Sequence, residues 1–402
     1  MEKAIMRIAL ICDDYLPDST RVSAKMMHEL ACGLLREGHE PVVFCPNGGV
    51  GTELKVIYLD GICIYKYPNG QTKDISKIKR AFNETMLSFN AWHYLSSEIK
   101  RKKIDGVIYY SPSIFFGAFV KKIKKYWKCK SYLILRDSFP QWLVDQRIIR
   151  RNGMLEKYFR FFEKKNYTAA NYIGVMSSKN KELFTLQYPH YKNVDVLYNW
   201  ADLNSTQDVS PSDILERLSL ADKVIFFYGG NIGHAQDMAN LMRLAIGMRT
   251  INYVHFLFVG QGDEVELVKK TIAENALENC TYLPAISQSE YKSILKVVHV
   301  GLFSLAKNHS VHNFPGKLLG YMANKLPILG SVNEGNDLMQ VLIGAKAGYV
   351  HVNGYDAELL QSAIKLATEE KLRNELGENG HSLLEKTFST QSAVENILLR
   401  LK

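Results

Sequence analysis

The sequence predicts an α/β chain of two doubly wound, Rossmann-like domains, and three observations carry that prediction. Short apolar strands alternate with amphipathic helices along most of the 402 residues, which implies parallel sheets covered by helices on both faces. The alternation stops in a polar stretch at 202–213 and restarts after residue 222. Two glycine-bearing segments, Ile225–His234 and Asn313–Met322, each follow a strand and open a helix. A helix N-terminus in that setting is suited to an anion such as a diphosphate.

Taken in order, Ile5–Ile11 is the first buried strand and runs into a polar loop, Cys12–Arg21. Ser19 or Thr20 caps the next helix, whose apolar side is Met26, Met27, Leu30, Leu34 and Leu35, with Gly38 as its stop. Strands follow at Pro41–Cys45, Lys55–Leu59 and Ile62–Lys66, then a long helix over 74–103. Strands at Asp105–Tyr109, Ser131–Leu135, Tyr172–Met176 and Val194–Leu197, with helices between them, complete the first half. In the second half strands fall at Lys223–Tyr228, Tyr253–Val259, Cys280–Leu283, Val297–Phe303 and Leu326–Leu329, with a short one at Gly348–Val350. Residues 357–400 are mostly helical. The expected domains are 1–199, 200–385 and a C-terminal helix, 386–402, returning to the first domain. Gly229, Gly230 and Gly233 are expected to form a tight turn.

No apolar run approaches the roughly 18 residues of a membrane span. The N-terminus carries no cleavage signature, and the six scattered cysteines read as reduced thiols. A cytoplasmic protein is expected. The net charge of +9 is unevenly placed: residues 1–197 hold 32 basic and 19 acidic side chains, a net of +13, and the remainder 18 and 22, a net of −4. Basic clusters at 100–103 and 121–130 suit an anionic lipid surface or a solvated helix end. No nucleic-acid-binding motif accompanies them. A nicotinamide dehydrogenase is disfavoured, because no glycine lies between Ile11 and Glu29, where the dinucleotide fingerprint belongs.

Several ordered segments together resemble the two-domain GT-B glycosyltransferases of family 4. They are Leu35–His39, Tyr198–Trp200, Tyr228–Asp237, Val259–Glu264 and Phe314–Leu329. Arg136–Pro140 and Phe314–Met322 are most similar to the WbuB-type enzymes of O-antigen assembly. The resemblance implies two Rossmann-like domains facing across a cleft. It implies transfer of a sugar, N-acetyl-L-fucosamine in the WbuB type, from UDP to a lipid-linked (polyprenyl diphosphate) saccharide. The enzyme would be peripheral, on the inner face of the cytoplasmic membrane, with its basic N-terminal domain on anionic lipid. Where the family has two glutamates, this chain has His312 and Gly320. That departure leaves open a nucleotide-sugar-binding subunit without catalysis, or a UDP-sugar 2-epimerase of the same fold.

The donor diphosphate is expected at Gly230, Asn231, Ile232, Gly233, His234 and Gln236, and at Pro315, Gly316, Lys317 and Leu318, with Arg21 reaching it from the other domain. The nucleotide is expected at Gly260, Ile286, Gly320 and Glu334, the last holding the ribose in place of the missing glutamate. Asp137, beside Arg136 at a strand end, is the expected acceptor-activating base, unless it caps a helix or pairs internally. His312 is a sugar-hydroxyl partner or a plain loop histidine. Asp14 and Ser19 lie on the acceptor side, where Tyr15, Phe139 and Trp142 could stack on sugar rings.

The chain contains no Asp-x-Asp pair, so no metal clamp on the diphosphate is evident and no cofactor is expected beyond the donor sugar nucleotide. Leaving-group charge then falls to basic side chains and helix termini. Turnover is expected to survive excess EDTA. Loss of turnover that magnesium or manganese restores would overturn this.

Overall fold

The computed structural model describes residues 4–19, 21–72, 75–137, 139–145, 147–202, 210–308 and 314–402. The chain divides into two compact units, residues 1–198 with 390–402, and residues 199–389.

The first unit runs β1 (Arg7–Ile11), α1 (Val22–Arg36), β2 (Glu40–Pro46), β3 (Lys55–Leu59), β4 (Ile62–Tyr67), α2 (Lys77–Arg101), β5 (Gly106–Ser111), α3 (Gly117–Trp127), β6 (Lys130–Leu135), α4 (Gln141–Asp145), α5 (Met154–Ala169), β7 (Tyr172–Val175), α6 (Ser178–Gln187) and β8 (Val194–Val196). Its strand order is β3-β4-β2-β1-β5-β6-β7-β8. All neighbours are parallel except β3 and β4, a hairpin closed by Asp60-Gly61, both at positive φ. β1 is buried at all five positions, which explains its unbroken apolar run. One core of this unit joins Phe44 and Tyr109 of the sheet to Leu95 of α2, Phe119 of α3 and Tyr167 of α5.

The second unit runs α7 (Ile214–Arg217), β9 (Val224–Asn231), α8 (Met238–Gly247), β10 (Val254–Gln261), α9 (Val265–Glu274), β11 (Cys280–Leu283), α10 (Gln288–Leu295), β12 (Val300–Ser304), α11 (Lys317–Ala323), β13 (Ile328–Val332), α12 (Asp337–Gly344), β14 (Gly348–Val352), α13 (Asp356–Thr368) and α14 (Glu370–Leu383). All six strands are parallel, in the order β11-β10-β9-β12-β13-β14. The order reverses direction between β9 and β12. In doubly wound sheets a ligand crevice opens at such a point, beyond the strands' C-terminal ends.

Several boundaries differ from the sequence reading. The strand expected at Val297–Phe303 is Val300–Ser304, and the helical tail is three helices with a π turn at Leu384–Phe388. The largest difference is at Gly229–Asn231, which prolong β9 instead of turning. They pair with β10 through Gly229↔Val259, Gly230↔Gly260 and Asn231↔Gln261. The reason is steric. A Cβ at Gly260 would sit 1.8 Å from the Gly230 carbonyl oxygen, and one at Gly262 2.2 Å from that of Ile232. The bare backbone of β10 lets the two strands stay paired.

The last helix, α15 (Thr390–Leu401), packs on α1 within the first unit. Gly33 makes the contact possible, since a Cβ there would lie 2.8 Å from Thr390 Cγ2 and Val394 Cγ2. Arg400 then grips Asp195 with two bonds, of 2.8 and 3.0 Å. Gly33→Leu should wedge the two helices apart and cost about 1–3 kcal/mol, the usual cost of overpacking. Thermal unfolding and proteolysis of the C-terminal helix are the readouts, and wild-type values in both would refute this packing account.

Candidate functional site

The two sequence segments meet at the C-terminal ends of β9 and β12. Lys317 opens α11, and its Nζ lies 3.4 Å from the centre of the Tyr228 ring. The side-chain nitrogen is buried and has no hydrogen-bond partner among the described residues. A Cβ built on Gly230 would sit 3.7 Å from it, so the lysine points at the bare backbone of the β9 extension. Burial with no anion beside it holds the amine's pKa well below its ordinary value. One turn later Tyr321 fixes α11 to the sheet. Its hydroxyl accepts from Gly229 N at 3.3 Å and donates to Leu302 O at 3.0 Å.

The amides at the start of α8 are not available as expected. His234 N donates to Asp263 Oδ1 at 3.2 Å and Met238 N to Glu264 Oε2 at 2.8 Å. His234 also pairs through its ring, Nδ1 with Glu264 at 3.0 Å and Nε2 with Asp263 at 3.3 Å. The hydrogen bond to Glu264 and the charge of Asp263 raise its pKa. These two carboxylates occupy the helix terminus that the sequence reading gave to a diphosphate. Gly233 and His234 therefore belong to an internal cap. A helix start invites an anion, and here the chain supplies its own.

Other expected donor-side residues divide in two. Ile232 and Leu318 are fully buried, and their amides donate to Gln261 O and Pro315 O, so both serve the core. Asn231 and Gln236 bond each other, Nδ2 to Oε1 at 2.7 Å. Gly316 is exposed and Pro315 half-buried ahead of Lys317. Gly260 is the next-to-last residue of β10, Ile286 follows β11 and exposed Glu334 follows β13, so all three lie at or beyond the C-terminal strand ends of the same sheet. Gly320 faces α10: a Cβ there would meet Leu295 Cδ1 at 3.2 Å and Tyr291 Cε1 at 4.0 Å. His312 lies outside the described residues.

In the first unit the loop after β1 bonds within itself and to its neighbours. Ser19 Oγ donates to Asp14 Oδ2 at 2.6 Å and accepts from Arg21 N at 3.2 Å. Arg21 Nε lies 3.7 Å from the same carboxylate. Tyr15 is only 2% exposed and its hydroxyl bonds His28 Nδ1 at 3.0 Å, which removes it as a stacking platform for a sugar. His28 Nε2 in turn meets Asp60 at 2.9 Å and Cys32 Sγ at 3.5 Å. These three are the group of possible metal ligands among the described residues, and they already satisfy one another.

Arg136 and Asp137 follow β6. The Arg136 guanidinium is buried, donates to Tyr198 O at 3.3 Å and has its pKa pulled down to about 10 by burial. It braces the end of the sheet. Asp137 is exposed at residue level. The protein around its carboxyl raises the pKa more than the Arg136 charge lowers it. Phe139 packs edge-on against Phe159 at 4.9 Å, as part of the core rather than an open platform. Trp142 lies in α4, and its side chain lies outside the described structure.

Sequence reasoning overlooked Tyr228 and Tyr321 as partners of Lys317 and Gly229. It also missed Asp263 and Glu264 as caps, although both follow the noticed Gly260-Gln261-Gly262.

Residues 213–383 match the family of glycosyl transferases group 1. The Escherichia coli K12 protein WcaI, described as a colanic acid biosynthesis glycosyl transferase, is 22% identical over 333 residues, 79% of this chain and 81% of that protein. Among solved structures, the sucrose-phosphate synthase of Thermosynechococcus elongatus superimposes with a TM-score of 0.67 at 15% identity, covering 98% of each chain. Anabaena HepE in complex with UDP and glucose gives 0.64 at 13% identity, covering 98% of this chain and 99% of that one. Residues 213–383 are a glycosyl transferases group 1 domain, and the chain is a glycosyltransferase with the GT-B fold.

Proposed function

We propose that this enzyme transfers a sugar from a UDP-sugar to a lipid-linked saccharide during assembly of a surface polysaccharide, on the cytoplasmic face of the membrane. The observation that carries the reading is Lys317, a buried amine aimed at Gly230 with no hydrogen-bond partner among the described residues. Leaving the amine unpaired in the interior is costly, and a diphosphate would remove that cost. Support for UDP comes from HepE, whose structure holds UDP and glucose. Support for polysaccharide assembly comes from WcaI and its assignment to colanic acid. The sequence resemblance to the WbuB type makes N-acetyl-L-fucosamine the proposed sugar and a polyprenyl diphosphate saccharide the proposed acceptor.

In this reading the bond between the sugar's anomeric carbon and the diphosphate breaks, and one to the acceptor oxygen forms. The leaving UDP takes the electron pair and Lys317 meets its growing charge. Asp137 takes the acceptor proton, and its raised pKa suits a base closer to neutrality. Gly260, Ile286 and Glu334 form the nucleotide side, Arg21 joins Lys317 on the diphosphate, and Asp14 lies on the acceptor side. Gly320 favours a second reading, binding of nucleotide sugar without transfer, because its face is closed by Leu295 and Tyr291. UDP affinity with no product from any UDP-sugar and lipid-diphosphate acceptor would select it.

Lys317→Ala should weaken UDP binding by about 1–3 kcal/mol, as for loss of a charged hydrogen bond, and unchanged affinity by calorimetry would overturn the placement. The depressed amine adds a pH signature. Bound diphosphate raises the pKa of Lys317, so binding takes up a proton wherever pH lies between the free and bound values. Affinity should fall as pH rises through that window and level off below it. Calorimetry in buffers of different ionisation enthalpy counts the proton, and Lys317→Ala should abolish the uptake. Equal uptake in the variant would assign the proton elsewhere.

A further inference from the structure

In the first unit, α1 and the β3–β4 hairpin bring three side chains of metal-ligating type to one point. His28 and Cys32 are four residues apart on α1, so they lie on the same side of it. Asp60 forms the hairpin turn with Gly61, both at positive φ, and the turn rests on α1. A Cβ at Gly61 would meet Leu35 Cδ2 at 3.1 Å. Asp60 Oδ2 lies 2.9 Å from His28 Nε2, and Cys32 Sγ lies 3.5 Å from the same nitrogen. One ligand atom from each residue falls within 4.8 Å of the other two.

Hydrogen bonds hold the three together, yet both contacts converge on a single ring nitrogen. A proton on Nε2 can point at Asp60 or at Cys32, but not squarely at both. A lone pair there can accept from the thiol, but then faces the carboxylate with no proton between them. A divalent cation at the same point satisfies all three. The geometry also rules out a nucleophilic triad, which needs thiol and carboxylate on opposite ring nitrogens. Here Nδ1 belongs to the Tyr15 hydroxyl at 3.0 Å. A metal-bound histidine uses such a partner on its other nitrogen, and a tyrosine hydroxyl can accept from Nδ1–H. The spacing fits as well. Around a tetrahedral zinc, nitrogen and sulfur ligands stand about 3.5 Å apart and nitrogen and oxygen about 3.3 Å. The pair on α1 already has the first spacing. Asp60 has only to withdraw slightly, which its 68% exposed side chain allows.

We propose that His28 Nε2, Cys32 Sγ and Asp60 Oδ2 bind one transition-metal ion of the zinc class, with water in the fourth place, and that the ion clips the β3–β4 hairpin to α1. Thiolate and imidazole select such a metal over magnesium or calcium. The thiolate and carboxylate together cancel the ion's two charges, as suits a partly buried place. As the sulfur–metal bond forms, the thiol releases its proton to solvent, and the imidazole proton sits on Nδ1 toward Tyr15. The role is structural, because β3 is the edge strand of the first sheet and a tie at its turn holds that edge. The site is built wholly from the first unit, and Lys317 belongs to the second. The inference therefore stands whether or not Lys317 meets UDP.

The test is titration of the reduced, metal-free full chain with cobalt(II), which reports a bound thiolate by a charge-transfer absorption band. Wild type should bind one equivalent, and zinc should displace it. Cys32→Ser should abolish the band. Tyr15→Phe should weaken cobalt binding by about 10–100-fold with the band kept, the usual cost of losing an outer partner, and Asp60→Asn by at least as much. Asparagine also suits the hairpin turn, so the last variant keeps the fold. Zinc should raise the thermal midpoint of wild type and leave that of Cys32→Ser unchanged. Circular dichroism and UDP affinity of Cys32→Ser and Asp60→Asn should match metal-free wild type. An undiminished band in Cys32→Ser would overturn the proposal, because another thiol would then hold the metal. Unchanged cobalt affinity in Asp60→Asn would do the same. A wild type that gives no band would reduce the cluster to a hydrogen-bonded tie and end the proposal.

Discussion

The second unit depends on how a lysine is held where α11 meets β9. The ammonium of Lys317 sits over the Tyr228 ring, without a hydrogen-bond partner among the described residues. The ring face attracts the cation, but the interaction supplies on the order of 2 kcal/mol when desolvated. That is less than burying an unpaired charge costs. The position is kept because its surroundings enforce it. Tyr321 ties α11 to Gly229 and Leu302, while bare backbone at Gly230 and Gly260 leaves room in front of the amine. In the proposed function, a site held this way would be prepared for an anion before one arrives, with less reorganisation during transfer.

The same edge of the sheet carries the opposite sign nearby. Asp263 and Glu264 satisfy amides at the start of α8 and hold His234 between them. An incoming diphosphate would be repelled from that terminus, which agrees with the proposal that Lys317 receives it. Two helix starts that look alike in sequence therefore have different roles. One has its carboxylates supplied from within the chain. The other presents an unpaired cation. Distance along the chain separates the acids from the helix they cap, so the spacing around His234 alone could not reveal it.

That difference marks how far the sequence could be read. Unbroken apolar runs and period-3.6 patterning located both sheets and their helices, because buried parallel strands and amphipathic helices leave local signatures. The restart after residue 222 marked the second unit for the same reason. The β9 extension was missed because its cause lies in another strand, in the missing side chains of Gly260 and Gly262. Lys317 was picked out by its unfavourable place at a helix start, a local clue. Its seat on Tyr228 joins residues far apart in the chain, and nothing in either segment announces it. Tyr15 failed for a related reason. An aromatic in a polar loop looks available, yet its hydroxyl satisfies a histidine on the following helix.

Gly320 shows how a departure from a family pattern can be structural before it is functional. The α11 face at this position packs against α10, where Leu295 and Tyr291 take the nearby volume. Tyr291 also crowds Gly229, since a Cβ there would lie 2.4 Å from its ring. One aromatic side chain thus fills space beside two glycines on different elements. A side chain introduced at 320 would crowd Leu295 at its first carbon, and that neighbour would have to give by a few tenths of an ångström. Restoring the family residue alone would therefore disturb packing before it could serve a ligand. The absence of a side chain at 320 and the presence of Tyr291 are best understood as one packing solution, shared between α10 and α11.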